Sequence, residues 1–389
     1  MPTASAEGSA TEVRGSGQTL SYTARRPPAP TTRGPLFGIQ YLRAIAALMV
    51  VCYHSLDQLD AYKVILRDSP LGWLNLPSGV DVFFVISGFI MVAATRRTTP
   101  SQFLLRRLIR VVPLYWILTL VLVTLGLAHP GWLRSTVLGP SEVLESLLFI
   151  PYANPGHEGQ LVPLLVPGWS LNFEMAFYAV FALLLFLPQQ RRSAVSGVFF
   201  AAVLALPLVL PDGLLPRPLL FYASPRLFEF WFGMLIAESA QRGRQTLMAP
   251  LTAAGLIVVG AGMLLGPSLW SIPEGLGQLL RIFKEVLPAA AIVLGVVALE
   301  QAGRVRRIGW LNWLGDASYS MYLSHIFALG LARALWLRLG MGVPDGLHAV
   351  AFLVFGLVSA VVLTWICHRW LEVPVTRILQ GWSERPRPA

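Results

Sequence analysis

Residues 39–54 read Ile39-Gln-Tyr-Leu-Arg43-Ala-Ile-Ala-Ala-Leu-Met-Val-Val-Cys-Tyr-His54. A bilayer-spanning helix needs about 20 mainly apolar residues, and this run begins one. Two ionisable residues interrupt it. They stand 11 positions apart, close to three turns at about 3.6 residues per turn, so they share a face and lie about 16 Å apart along the axis. Charged and titratable groups inside a span are costly and are usually retained for function. A simpler reading has Arg43 snorkelling to the headgroups and His54 sitting at the interface. The shared face favours the functional one, because imidazole is the side chain best matched to proton transfer near neutral pH.

The rest of the chain fits the same solvent. Of 389 residues, 55% are hydrophobic and only 13% charged, and the mean hydropathy is +0.62. A soluble domain carries about 25% charged residues. Ten segments read as candidate spans: 38–56, 79–95, 111–128, 169–187, 196–211, 225–240, 250–266, 284–300, 317–337 and 350–371. The expected fold class is therefore all-α, a polytopic integral membrane bundle of about ten transmembrane helices with both termini cytoplasmic. The expected organisation is a disordered cytoplasmic tail over 1–36, a transmembrane domain over 37–372, and a second cytoplasmic tail over 373–389. The formal net charge of +10 does not imply a nucleic-acid partner. With both termini inside, 20 of the 30 basic residues fall in cytoplasmic segments, as the positive-inside rule requires. The two cysteines, Cys52 and Cys367, lie in apolar segments and suggest no disulfide framework. No His pair at i, i+4 with a nearby Glu occurs, so no metal site is expected.

The remaining polar residues within spans suggest chemistry, each beside a plainer alternative. Asp81 opens the second span in Gly79-Val-Asp81-Val-Phe83-Phe84-Val-Ile-Ser87-Gly88-Phe89. It either orients and charges the imidazole of His54 or caps its own helix. Arg107 and Arg110, at i and i+3, share a helix face and suit phosphate oxygens. A basic run at a membrane edge also holds topology or anionic lipid. Trp169, Ser170 and Glu174 open the fourth span. Ser318, Tyr322 and His325 form an i, i+4, i+7 stripe on the ninth, which is either a ligand-contacting face or polar glue between helices.

In this order, these motifs resemble the membrane acyltransferase 3 family over nearly the whole chain, from about Ile39 to Trp370. The elements are Arg43 with ten residues before His54, then the Gly79–Phe89 phrase, then Arg107-x-x-Arg110 followed by Pro113 and Tyr115. Trp169-Ser-Leu-x-x-Glu174 and Ser318-Tyr-Ser-x-Tyr-Leu-x-His325 complete the set. The opening phrase is most similar to the branch associated with exopolysaccharide production. The resemblance implies an enzyme of the bacterial inner membrane that moves an acetyl or other acyl group from cytoplasmic acetyl-CoA (acyl-CoA) to a hydroxyl of a surface or exported carbohydrate. Polysaccharide-biosynthesis machinery is an implied partner, and the lipid bilayer is the medium. It implies acid–base work at His54 and donor binding at Arg107 and Arg110; the residues themselves add Asp81 as the orienter of His54 and Arg43 and Tyr115 as expected donor contacts. The acceptor is expected at Trp169, Ser170, Glu174, Ser318, Tyr322 and His325. A lipid-linked sugar flippase, a non-catalytic membrane scaffold and an acyltransferase for a small secreted glycoside or antibiotic are the alternatives.

Overall fold

The computed structural model describes residues 36–383 apart from 68, 70, 96–97, 133–135, 212 and 267–276. The amino-terminal tail and the basic residues Arg96, Arg97, Arg134, Arg385 and Arg387 lie outside the described residues. Among the described residues the fold is helical with no strand; a single isolated bridge joins Ala153 and Leu161.

Each of the ten apolar segments coincides with a helix. They are α1 (Phe37–Leu56), α2 (Gly79–Ala94), α3 (Pro100–Ala128), α4 (Trp169–Leu184), α5 (Gln189–Val209), α6 (Arg226–Gln241), α7 (Pro250–Leu265), α8 (Leu287–Gln301), α9 (Ser318–Arg338) and α10 (Gly346–Cys367). Seven helical stretches are long and apolar enough to cross a membrane, with α2, α8 and α10 extended by adjoining turns. The other three, α4, α6 and α7, have 16 residues each. At about 1.5 Å per residue each is ~24 Å long, short of a hydrocarbon core of about 30 Å.

Local sequence explains the element ends. Thr99 caps α3 in a capping box: its hydroxyl accepts from the Gln102 backbone N–H, and the Gln102 side chain accepts from the Thr99 N–H. Asp345 caps α10 by accepting from the His348 N–H at 2.7 Å. The last helix does not stop at Cys367. A π-helical turn, His368–Glu372, carries it into α11 (Val373–Ser383). The expected tail from residue 373 is thus helical as far as Ser383.

The tightest helix contact joins α2 to α6. A Cβ on Gly88 would meet the Phe230 carbonyl oxygen at 2.0 Å, and one on Gly233 would meet that of Val85 at 2.0 Å. The helices run parallel: Asp81 and Glu229 adjoin near their starts, and the Gln241 amide donates to the Val92 carbonyl near their ends. With no hydrophobic driving force between helices inside lipid, small residues that let backbones approach supply the packing. Gly88→Leu is therefore expected to destabilise the protein by about 1–3 kcal/mol, read as a lower melting temperature in detergent. Gly330→Leu is the control, since a Cβ there meets nothing within 4 Å. Equal melting of the two variants would contradict this packing.

Candidate active site

A cavity of about 730 Å³ opens within the bundle. It lies within the range of about 300–1,000 Å³ common for small-molecule sites. One end is strongly polar. Arg43 from α1, Arg107 and Arg110 from α3 and Arg377 from α11 line it together with Glu174, Asp316 and Glu372. Four guanidinium groups thus face three carboxylates. The Arg43 Nη1 donates to the Gln40 side-chain oxygen at 2.9 Å and feels Arg110, Glu372, Asp316 and Glu174 around it. The Arg107 guanidinium lies over the Phe103 and Tyr178 rings, 5.7 and 5.8 Å from their centroids. Glu174 accepts from the Ser87 hydroxyl at 3.1 Å and from the Tyr178 hydroxyl at 2.5 Å.

The other end is walled by Phe83, Phe84, Leu171, Ser170 and Tyr322. The Tyr322 hydroxyl donates to the Pro167 carbonyl at 2.9 Å and shares a 2.8 Å hydrogen bond with Ser170 Oγ. Beyond Tyr322 stands an imidazole pair. The Tyr322 and His325 ring centroids are 6.2 Å apart, and those of His325 and His54 are 5.1 Å apart. His325 is fully buried. Its Nδ1 lies 3.2 Å from the Met321 carbonyl, and an oxygen acceptor there fixes Nδ1 as the donor. Nε2 is then the lone-pair nitrogen, and it is buried without a hydrogen-bond partner among the described residues. A buried acceptor left open costs free energy unless something donates to it.

The cavity thus gathers Arg43, Arg107, Arg110, Ser170, Glu174, Ser318 and Tyr322 from the residues singled out in the sequence. The other five, His54 among them, do not line it. Asp81 does not reach His54. Gly79 packs against the Ala46 carbonyl, where a Cβ would come to 2.5 Å, so α2 begins level with the middle of α1, about 12 Å before His54 along the axis. Asp81 instead adjoins Glu229, with Arg226, Arg281 and Glu285 nearby. Tyr115 does not line the cavity. Five residues beyond Arg110 is a rotation of about 140° on a helix, and its buried hydroxyl donates to the Ser146 carbonyl at 3.1 Å. Trp169 is turned away in the same manner relative to Glu174. It packs on Phe84 and Phe173, with the Arg226 guanidinium 5.0 Å from its ring centroid. His325 lies behind the cavity wall, where it neighbours His54.

The structure also adds Gln40, Asp316, His368, Glu372, Thr376, Arg377 and Gln380 to the cavity wall. Of these, 368, 372, 376 and 380 recur every four residues, the spacing of one helix face. That polar stripe at the end of the last apolar run was the signal available in the sequence. Gln40, three residues before Arg43, was a second.

A membrane bundle with a cation-lined internal cavity ending beside paired imidazoles has the parts of a group-transfer enzyme. The chain belongs to the membrane acyltransferase family: the family model described as an acyltransferase domain matches residues 36–369. It is similar to the exopolysaccharide production protein ExoZ of Rhizobium meliloti (strain 1021), with 39% identity over 306 residues, 77% of this chain and 89% of that protein. A protein of Komagataeibacter xylinus named as a membrane-bound transacylase, BcsY, is 28% identical over 305 residues, 74% of this chain and 71% of its own. The acyltransferase MdmB of Streptomyces mycarofaciens is 24% identical over 389 residues, 91% of this chain and 94% of its own. No solved structure matches the chain.

Proposed function

We propose that this membrane acyltransferase moves an acetyl group from acetyl-CoA to a hydroxyl of an exported carbohydrate at the bacterial inner membrane. The observation that carries the reading is the layout of one cavity: Arg43, Arg107, Arg110 and Arg377 at one end, and Tyr322 at the other with His325 and His54 behind it. The donor's phosphates lie at the arginine end, where guanidinium forks match anionic oxygens. Its acyl-bearing arm extends toward Tyr322. The relative named for exopolysaccharide production supports a carbohydrate acceptor.

Chemically, the acceptor oxygen attacks the thioester carbonyl carbon as His54 takes the hydroxyl proton. The carbon–sulfur bond breaks, and the thiolate leaves and recovers that proton as a thiol. A positioned general base contributes about 10²–10⁴-fold, and holding donor and acceptor together supplies much of the rest. His325 takes the place that the sequence reading gave to Asp81. Its ring stands 5.1 Å from that of His54, and its Nε2 lone pair, without a partner among the described residues, is open to an N–H that the base would donate to orient itself.

In this reading the arginine end faces the cytoplasm, so the carboxy terminus after α11 is cytoplasmic. A carboxy-terminal reporter active only in the cytoplasm should therefore be active, and one active only outside should be silent; the reverse pattern would contradict the orientation. The functional test is binding of acetyl-CoA by the purified protein. Saturable binding that resists competition by the free sugar fits an acyltransferase, and a protein that binds the sugar but no thioester does not.

A further inference from the structure

The cavity holds a carboxylate–imidazole pair that the reaction as described does not use. His368 Nδ1 lies 2.9 Å from Glu372 Oε2, and the Ser320 hydroxyl donates to the same oxygen at 2.6 Å. Glu372 is buried, and Arg43 and Arg110 both lie within its electrostatic reach. His368 is half-buried and lines the cavity. Both residues belong to the π-helical turn His368–Glu372. Single π turns inside α-helices are rare and concentrate at functional sites. Here the turn sets His368 and Glu372 on the wall that continues through Thr376, Arg377 and Gln380 to the end of the cavity.

We propose that His368, held by Glu372, is a further recognition residue for the phosphates of a nucleotide-linked acyl thioester. With Nδ1 bonded to Glu372, Nε2 is the ring nitrogen left to share a proton with a phosphate oxygen, beside the guanidinium groups that line the same cavity. The alternative use of such a pair is as a general base. The location argues against it, because His368 shares its end of the cavity with Arg110 and Arg377, whereas the bonded Ser320 lies about 7 Å along α9 from His325.

This inference rests on the donor reading given above. The test measures affinities of the purified protein for acetyl-CoA, for 3′-dephospho-acetyl-CoA and, by competition, for S-acetylpantetheine, which lacks the nucleotide and its phosphates. In His368→Ala the affinity for acetyl-CoA should fall about tenfold or more, while that for S-acetylpantetheine stays within about twofold of wild type. The preference for the phosphorylated donor then shrinks by the same factor. Glu372→Gln should move the preference in the same direction by less, and His368→Arg should restore part of it. His368→Gln, which keeps a donor toward Glu372, replaces the alanine variant if that one does not fold. Unchanged acetyl-CoA affinity in both variants overturns the proposal, and so does an equal loss for all three compounds, which is the signature of a packing role. Failure of the wild-type protein to bind acetyl-CoA at all is a distinct result that removes the donor reading itself.

Discussion

His54→Ala is expected to bind acetyl-CoA as wild type does and to transfer acyl groups at least about 100-fold more slowly. The expectation follows from the division of the site. The guanidinium groups proposed to hold the donor lie at one end of the cavity, and His54 stands beyond Tyr322, outside its lining. Removing the imidazole therefore leaves the donor contacts in place and takes away the proton acceptor. His325→Ala should impair the same step, because its ring neighbours that of His54 and its Nε2 has no partner among the described residues. Groups that share one step lose activity non-additively. The His54→Ala, His325→Ala double variant should thus be little worse than His54→Ala alone, measured as acyl transfer at matched expression. Full activity in His54→Ala would remove it from the mechanism. Independent, additive losses would make His325 a packing residue.

The second large effect is expected at the arginines. Arg107→Ala and Arg110→Ala each delete a guanidinium fork at the phosphate end. Hydrogen bonds to charged groups contribute about 1.5–3 kcal/mol each, roughly a tenfold to hundredfold loss of donor affinity per residue. The double variant should lose donor binding altogether at millimolar concentrations while keeping its melting temperature within a few degrees. Arg110 has a second duty: it sits near Glu174 and Glu372, and its removal leaves those carboxylates facing fewer cations. Arg110→Lys keeps the charge but not the planar fork, and it should recover donor affinity only in part. Donor affinity unchanged in both alanine variants would return these residues to a role in topology or lipid contact.

Seven of the helical stretches were legible because an apolar run long enough to span a bilayer admits few other structures; α4, α6 and α7 were legible as apolar runs but are shorter than a span. The co-location of Arg43, Arg107 and Arg110 was legible too, since all are cations on helices that must face protein. The partner of His54 was not legible. Which carboxylate or imidazole meets it depends on the vertical offset and rotation of neighbouring helices, and a sequence of spans fixes neither. Gly79 against Ala46 sets the offset of α2 and carries Asp81 toward Glu229. The same limit applies to Tyr115 and Trp169. Each stands five residues from a cavity residue in the chain, Arg110 and Glu174 respectively, and is rotated about 140° from it. The His368–Glu372 pair was within reach of the sequence, as an i, i+4 pair in the polar stripe 368, 372, 376 and 380, although the π turn that carries it has no composition of its own.

The central claim is that a thioester-borne acetyl group reaches a carbohydrate hydroxyl through this bundle. The most direct measurement supplies acetyl-labelled acetyl-CoA to membrane vesicles containing the wild-type protein and the exported polysaccharide of the producing cell. Base-labile label in the polysaccharide is then followed. The account predicts label that rises with time in wild-type vesicles and is at least about 100-fold slower to appear with His54→Ala. Polysaccharide that stays unlabelled in wild-type vesicles shown to bind the donor, or that is labelled equally with His54→Ala, would contradict it.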